Sequence, residues 1–152
     1  MLISVITPTF NSENNIKRNI NSLNKQRKIF EQIFIDNLSS DSTLEIIKKE
    51  SKYSYKIIRE KDYGIYEAMN KGVSKSNGKF LVFLNSDDWL PEKSFEIVEH
   101  QIKKNPNTDI FYGNTNYYQD NKIRFVQKSD IDKILKTNSI SHQTMYYSKK
   151  IF

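Results

Sequence analysis

Read for where its apolar residues fall, the chain divides into two stretches with different rhythms. Over about the first 110 residues, short apolar runs alternate with segments whose apolar positions recur every three or four residues. The runs at 2–7, 32–35, 55–58 and 80–84 predict strands. The last of them, Phe80-Leu81-Val82-Phe83-Leu84, has no polar interruption, as expected of a strand covered on both faces. Between the runs, Ile16, Ile20 and Leu23 predict a helix, and Leu44 and Ile47 a second that reaches about residue 52. Ile65, Ala68, Met69 and Val73 predict a third helix, opened by Gly64. Phe95, Val98 and Ile102 predict a fourth over 92–104, started by Pro91. Asn11 or Ser12 is the expected cap of the first helix, with Glu13 in its first turn, and Ser39, Ser40 and Asp41 cap the second. Ser76-Asn77-Gly78 reads as a turn built on positive φ.

Beyond that point the pattern is mostly β. Strands are expected at 109–112, at 116–119 and 122–127 around an Asp120-Asn121 turn, and at 142–148, with a short helix over 130–136. Alternating strands and helices imply right-handed βαβ units, and the later strands imply a mixed sheet or an appended edge. The expected fold is one α/β domain over 1–152, a doubly wound, mostly parallel mixed sheet flanked by helices.

Such a sheet brings its strand exits to one edge, where open α/β folds bind ligands. Three exits carry polar residues: Thr7-Pro8-Thr9-Asn11, Asp36-Asn37 and Asn85-Ser86-Asp87-Asp88. Asp87 and Asp88 are hard oxygen donors suited to Mg²⁺ or Mn²⁺ bridging phosphate oxygens; the alternative, ahead of Pro91, is acids at a helix N-terminus. Asp36 reads either as a turn former or as an acceptor for a base or ribose. On spacing alone Asn70 and Lys71 belong to a solvated helical face, and His142 beside an apolar strand reads as structural.

Composition narrows the function classes. The chain has 152 residues, 37% hydrophobic, enough for one core. Its net charge of +6 comes from 20 lysines and four arginines scattered along the chain, not gathered with aromatics, so no nucleic-acid partner is expected. A basic face would still suit a phosphate-bearing ligand or an anionic membrane surface. Without cysteine there are no disulfides or thiolate metal sites. No apolar run approaches the roughly 20 residues of a membrane span, and MLISVITPTF reads as a first strand, so a cytoplasmic protein is expected. No dinucleotide fingerprint, phosphate-binding P-loop, nucleophile elbow or HExxH is present.

Four segments together, ISVITPTFN, IFIDNLSSDST, EKDYGIYEAMNKGVSKSNGKFLVFLNSDDWL and SHQTMYY, resemble family 2 glycosyltransferases of the GT-A fold, in particular bacterial enzymes of O-antigen, capsule and exopolysaccharide synthesis. The resemblance implies transfer of a sugar, with inversion, from a nucleotide-diphosphate sugar (a UDP-sugar first) to a glycan or lipid-linked acceptor hydroxyl, assisted by Mn²⁺ or Mg²⁺. It implies that Thr7, Pro8, Thr9 and Asn11 line the nucleotide pocket, that Asp36 bonds the base, and that Asp62, Asn70 and Lys71 face ribose and phosphates. The family's Asp-x-Asp falls on Asn85-Ser86-Asp87, making Asp87 the leading metal ligand with Asp88 beside it. Asn stands at the first position, and Asn37 stands where a second Asp is frequent. The family's general base is a carboxylate downstream of the segment matching SHQTMYY, so it is expected beyond Phe152, with 1–152 a donor-binding part. Lipid-linked acceptors leave room for peripheral attachment at the inner membrane face. Two rivals stay open: a non-catalytic nucleotide-sugar-binding module and a sugar nucleotidyltransferase.

Overall fold

The structure, a computed structural model, describes residues 1–120, 122–133 and 139–152. Its main sheet has six strands in the order β3-β2-β1-β4-β8-β5. Four are parallel: β1 (Ile3–Thr9), β2 (Phe30–Asp36), β3 (Tyr55–Arg59) and β4 (Phe80–Phe83). On the far side of β4, β8 (Met145–Ser148) and then β5 (Ile110–Tyr112) add an antiparallel edge. The remaining strands, β6 (Thr115–Gln119) and β7 (Lys122–Gln127), form a separate hairpin. The later strands therefore supply both a mixed edge and an appendage.

Strand alternation builds three layers. Val5, Phe34, Val82 and Leu84 point to one face, where α1 (Ile16–Asn24) contributes Ile16, Ile20 and Leu23, α2 (Thr43–Glu50) Ile47, and α4 (Ser94–Lys104) Phe95. Ile6, Ile33, Ile35, Leu81 and Phe83 point to the other, under Ala68 and Met69 of α3 (Ile65–Lys75). Every residue of β2 and β4 is buried, which explains why β4 reads as a continuous apolar run; β2 buries Glu31, Gln32 and Asp36 among its apolar residues.

Several local expectations are corrected. The fourth helix begins at Ser94, not 92, because Lys93 is left-handed at φ 64°. The second ends at Glu50, where Asn24 Nδ2 donates to Glu50 O at 2.8 Å and Asn24 Oδ1 accepts from Lys52 N at 3.1 Å. Among the described residues no α-helix is capped by the side chain of its N-cap residue. Of the polar residues expected as caps, Asp41 accepts from Thr43 N, the first N–H of α2, at 3.0 Å, while Asn11, Ser12, Ser39 and Ser40 hold loops together. Neither Asn77 nor Gly78 has positive φ. Gly78 is required for close approach, since a Cβ there would lie 2.5 Å from Ser4 N. Gly64, at φ 141°, does open α3. The last strand starts at Met145, because His142–Thr144 is a tight 3-10 turn closed by Thr144 N donating to Ser141 O at 3.0 Å. Of the expected helix over 130–136, Ile131–Lys133 is a 3-10 turn, Asp130 precedes it outside any helix, and 134–136 lie outside the described residues, as does Asn121 of the hairpin turn.

At the edge away from the strand exits, Glu31 organises the approach to β4. Its carboxylate accepts from Ser4 Oγ at 2.7 Å, Asn77 N at 2.5 Å and Lys56 Nζ at 3.0 Å. Burial pushes its pKa up, but these donors outweigh burial and hold it below the usual carboxylate range.

Candidate active site

The chain leaves β1 toward β2 and β3 on one side, then crosses back to place β4 on the other, so the strand order reverses between β1 and β4. At such a switch point the two exit loops diverge and leave a crevice. Here the crevice is a cavity of about 380 Å³, lined by Pro8, Phe10, Asn11, Ser12 and Asn15 from the β1 side, Asn85, Ser86 and Asp87 from the β4 side, and Ile65. Pro8 can stand in a central strand because ladder bonds alternate sides. Ile6 O accepts from Leu84 N and Thr9 O from Asn37 N, so Pro8 turns its missing N–H toward β4 just past the last β1–β4 pair.

The two loops beside this cavity are zipped together. Asn11 N donates to Ser39 Oγ at 3.0 Å and Ser40 N to Asn11 Oδ1 at 2.9 Å. Ser12 N donates to Thr43 Oγ1 at 2.7 Å, Glu13 N to Asp41 Oδ2 at 3.0 Å, and Ser42 N to Glu13 Oε2 at 3.0 Å. Beneath them Asp36 is fully buried. It accepts from Ser39 N at 3.1 Å and Ser39 Oγ at 2.5 Å, and Arg59 Nε balances its charge at 3.4 Å. Ser12 Oγ bridges across to Ser86 Oγ at 3.0 Å.

The β4 exit is held by a device that apolar patterning does not reveal. Asn19, Ser22 and Gln26 are buried polar positions at spacings of three and four along α1 and the turn after it. Asn19 Nδ2 donates to Asn85 O at 2.9 Å and Asp88 O at 3.1 Å. Ser22 Oγ accepts from Leu90 N at 3.1 Å; Gln26 Nε2 donates to Pro91 O at 2.8 Å, and Gln26 Oε1 accepts from Phe95 N at 3.3 Å. One polar stripe thus positions the whole 85–95 loop. The signal was in the sequence: three amide or hydroxyl side chains on the same helical rows as Ile16, Ile20 and Leu23.

The β4 exit is a turn closed by Asp88 N donating to Asn85 O at 3.0 Å, and across it Asp87 and Asp88 face different surroundings. Asp87 is exposed and lines the switch-point cavity. Asp88 instead lines a second, larger cavity on the α4 side, and its Oδ2 is buried without a partner. Burial, with the Asp87 charge adding to it, pushes the Asp88 carboxyl up to about 6, against hydrogen bonds from Gln143 and the Asn85 backbone. Asn85 Nδ2 stands 3.4 Å from His142 Nε2, and partial burial lowers the pKa of that imidazole, which favours the neutral, accepting ring.

Of the residues expected at the site, Pro8, Asn11, Asn85, Ser86 and Asp87 line the switch-point cavity together. Thr7, Thr9 and Asp36 lie buried beneath it, Thr7 Oγ1 without a partner and Thr9 Oγ1 bonded to Ile35 O at 3.3 Å. Asp62 is buried one loop away; its N–H donates to Asn37 Oδ1 and its Oδ1 accepts from Gly64 N, both at 3.0 Å. Asn70 and Lys71 lie further along α3 and line neither cavity. The Lys71 ammonium donates to Lys61 O at 2.7 Å and pairs with Glu67 at 3.1 Å and Glu60 at 3.5 Å. For a cation, the described residues offer no group of three or more His, Cys, Asp or Glu. They fit an ion held through one carboxylate, Asp87, together with ligand phosphates, a usual arrangement for Mg²⁺.

The sequence profile of glycosyl transferase family 2 matches residues 4–151. The chain belongs to glycosyltransferase family 2. This family 2 chain is 32% identical over 156 residues to the PGL/p-HBAD biosynthesis glycosyltransferase of Mycobacterium bovis, covering 99% of the chain and 60% of that protein. It is 33% identical over 152 residues to the poly(ribitol-phosphate) β-N-acetylglucosaminyltransferase TarP of Staphylococcus aureus, covering 95% of the chain and 46% of TarP. Its fold matches the crystal structure of S. aureus TarS 1–349 in complex with UDP-GlcNAc at a TM-score of 0.84 and 25% identity, over 99% of the chain and 46% of that one. The family 2 chain thus spans about half the length of the relatives it matches, and its sheet is the GT-A sheet. Among the described residues no helix is long and apolar enough to cross a membrane.

Proposed function

We propose that residues 1–152 form the donor-binding unit of a glycosyltransferase that moves a sugar from a nucleotide-diphosphate sugar, a UDP-sugar first, to a glycan or lipid-linked acceptor in bacterial cell-surface polysaccharide synthesis. The observation that carries this reading is the polar cavity between the β1 and β4 exits, with exposed Asp87 on its wall. The family membership and the UDP-GlcNAc held by TarS support the donor class.

In this reading Pro8 and Asn11 form the wall against the nucleotide, and Asn85 and Ser86 meet its ribose. Asp36, Asn37, Ser39 and Asp62 are positioning residues: their mutual hydrogen bonds fix the loops before the ligand arrives, which lowers the ordering cost of binding. Asp87 would hold a Mn²⁺ or Mg²⁺ ion, which when bound would supply Lewis-acid neutralisation of the diphosphate. The acceptor hydroxyl attacks the anomeric carbon from the face opposite the diphosphate. A new C–O bond forms, the bond from the anomeric carbon to the phosphate oxygen breaks, and the electron pair leaves with the diphosphate. The hydroxyl proton passes to a general base.

Titration of the chain with UDP, GDP and dTDP, followed by calorimetry and by the fluorescence of Trp89, the only tryptophan, tests this. Saturable UDP binding in Mn²⁺ that EDTA abolishes is expected. Asp87→Ala is expected to weaken it by roughly 100-fold, the loss of a charge-assisted metal contact of about 3 kcal/mol, with thermal stability unchanged. Absence of binding by every nucleotide overturns the donor reading; equal binding by Asp87→Ala overturns the metal assignment.

A further inference from the structure

The larger cavity, about 510 Å³, lies on the other side of the β4 exit, between α4, β5 and the base of the β6–β7 hairpin. We infer that it receives the apolar, alkyl or aryl, portion of a hydroxyl-bearing acceptor, whose polar end meets Asp88 and Thr115. The inference rests on the donor reading above and adds the chemical class of the acceptor to it.

Three observations carry it. Trp89, Leu90, Val98, Phe111, Tyr118 and Tyr146 make an apolar wall of a size that holds a ring system or a short alkyl chain. That wall is preorganised: the Arg18 guanidinium lies 3.3 Å from the Trp89 ring centre and Tyr118 packs on the same indole with ring centres 5.0 Å apart. Trp89 is therefore fixed before any ligand arrives, and entry costs little side-chain ordering.

Second, the lining carries two buried oxygens without hydrogen-bond partners, Asp88 Oδ2 and Thr115 Oγ1. An unsatisfied buried polar atom is costly and calls for a partner. Both are closed to solvent, so a ligand hydroxyl reaches Asp88 Oδ2 or Thr115 Oγ1 through a rotation of the side chain, and in doing so it supplies the partner that a pure hydrocarbon does not.

Third, position links the cavity to the chemistry. Asp88 follows Asp87 directly, so their Cα atoms are about 3.8 Å apart, yet the two residues line different cavities. A hydroxyl held at Asp88 stands beside the wall of the donor cavity, where an acceptor has to be. A free saccharide uses this site poorly, because much of the wall offers its hydroxyls no partner.

The probe is n-octyl β-D-glucopyranoside below its micelle concentration, compared with methyl β-D-glucopyranoside and read through Trp89 in the full 152-residue chain. A saturable shift with the octyl glycoside and none with the methyl glycoside at the same concentrations is expected. Val98→Phe, which fills the cavity, is expected to weaken octyl glucoside binding roughly tenfold or more, the equivalent of about 1.4 kcal/mol. Thr115→Val, which keeps shape and removes the hydroxyl, is expected to weaken it a few-fold. UDP affinity measured on both variants reports that they are folded and is expected to be unchanged. Equal responses to the two glycosides, a response that does not saturate, or unchanged octyl glucoside affinity in a Val98→Phe chain that still binds UDP overturns the inference. Octyl glucoside binding without any UDP binding sinks the donor reading and leaves the apolar site standing.

Discussion

The two cavities that flank the β4 exit are made of opposite materials. The switch-point cavity is walled by loops that hydrogen-bond to one another, with polar side chains from β1 and β4 and the exposed Asp87. Its neighbour is walled mainly by aromatic and aliphatic side chains from α4, β5 and the hairpin, with a minority of amide and hydroxyl groups and one half-buried carboxylate, Asp88. Two identical side chains, adjacent in sequence, thus line different cavities, because the turn closed by Asp88 N donating to Asn85 O at 3.0 Å sends them to opposite sides of the β4 exit. Residue type and spacing offered them together, as metal donors or as acids ahead of a helix; the structure puts them on the walls of two cavities.

What the cavities share is the polar stripe on α1, and breaking it is the largest perturbation expected. Asn19→Leu keeps the volume but removes both donors to Asn85 O and Asp88 O, and the acceptor that Gln32 Nε2 reaches at 3.4 Å. Leaving buried groups unpaired costs about 1–3 kcal/mol each before relaxation, so a loss of about 3 kcal/mol is expected in urea unfolding. UDP and octyl glucoside should both bind more weakly, because one loop carries a wall of each cavity. Weakening of only one ligand would show that the stripe supports one site alone.

The sequence made the fold legible wherever burial was complete. The strands β1 to β4 and the stripes of α1 to α4 are apolar because they fill a two-sided core, so pattern and structure agree to within a few residues. The exits followed from topology, which is why Pro8, Asn11, Asn85, Ser86 and Asp87 were found together. Inward-facing polar groups were not legible. Asn19, Ser22 and Gln26 interrupt an apolar stripe and register as noise until the loop they hold is seen. Asp36 has the expected turn-forming contacts, yet its complete burial depends on the β1–β2 register that puts it opposite Thr9. The apolar cavity draws on residues from Leu84 to Tyr146 whose nearness is set by an antiparallel edge that no local pattern specifies.

A smaller effect separates Asp88 from its neighbour by pH. Its native pKa of about 6 lies above the usual unfolded value of about 3.9, so the native state holds this proton more tightly. Stability from this group is therefore fully present below about pH 4, is lost as pH rises toward 6, and is flat above that. Discounted for the group's partial exposure, the loss is about 1 kcal/mol. Asp88→Asn is expected to remove this limb from the stability–pH curve while retaining UDP binding. A variant curve with the same slope between pH 4 and 6 would assign the titration elsewhere.

The smallest effect expected bears on whether the donor site reaches α3 at all. Lys71 lines neither cavity, and its ammonium is already shared among Lys61 O, Glu67 and Glu60. Those partners raise its pKa against the pull of desolvation, the largest single influence on it, so the group stays charged and held in place. Lys71→Met keeps most of the stem packing and removes only surface ion pairs and one backbone contact, so the midpoint of urea unfolding is expected to stay where it is. UDP affinity is expected to stay within about twofold of the parent. A loss of tenfold or more without a matching loss of stability would show the opposite. Lys71 would then leave Glu60 and Glu67 to meet the diphosphate, and the donor site would extend from the switch point across to α3.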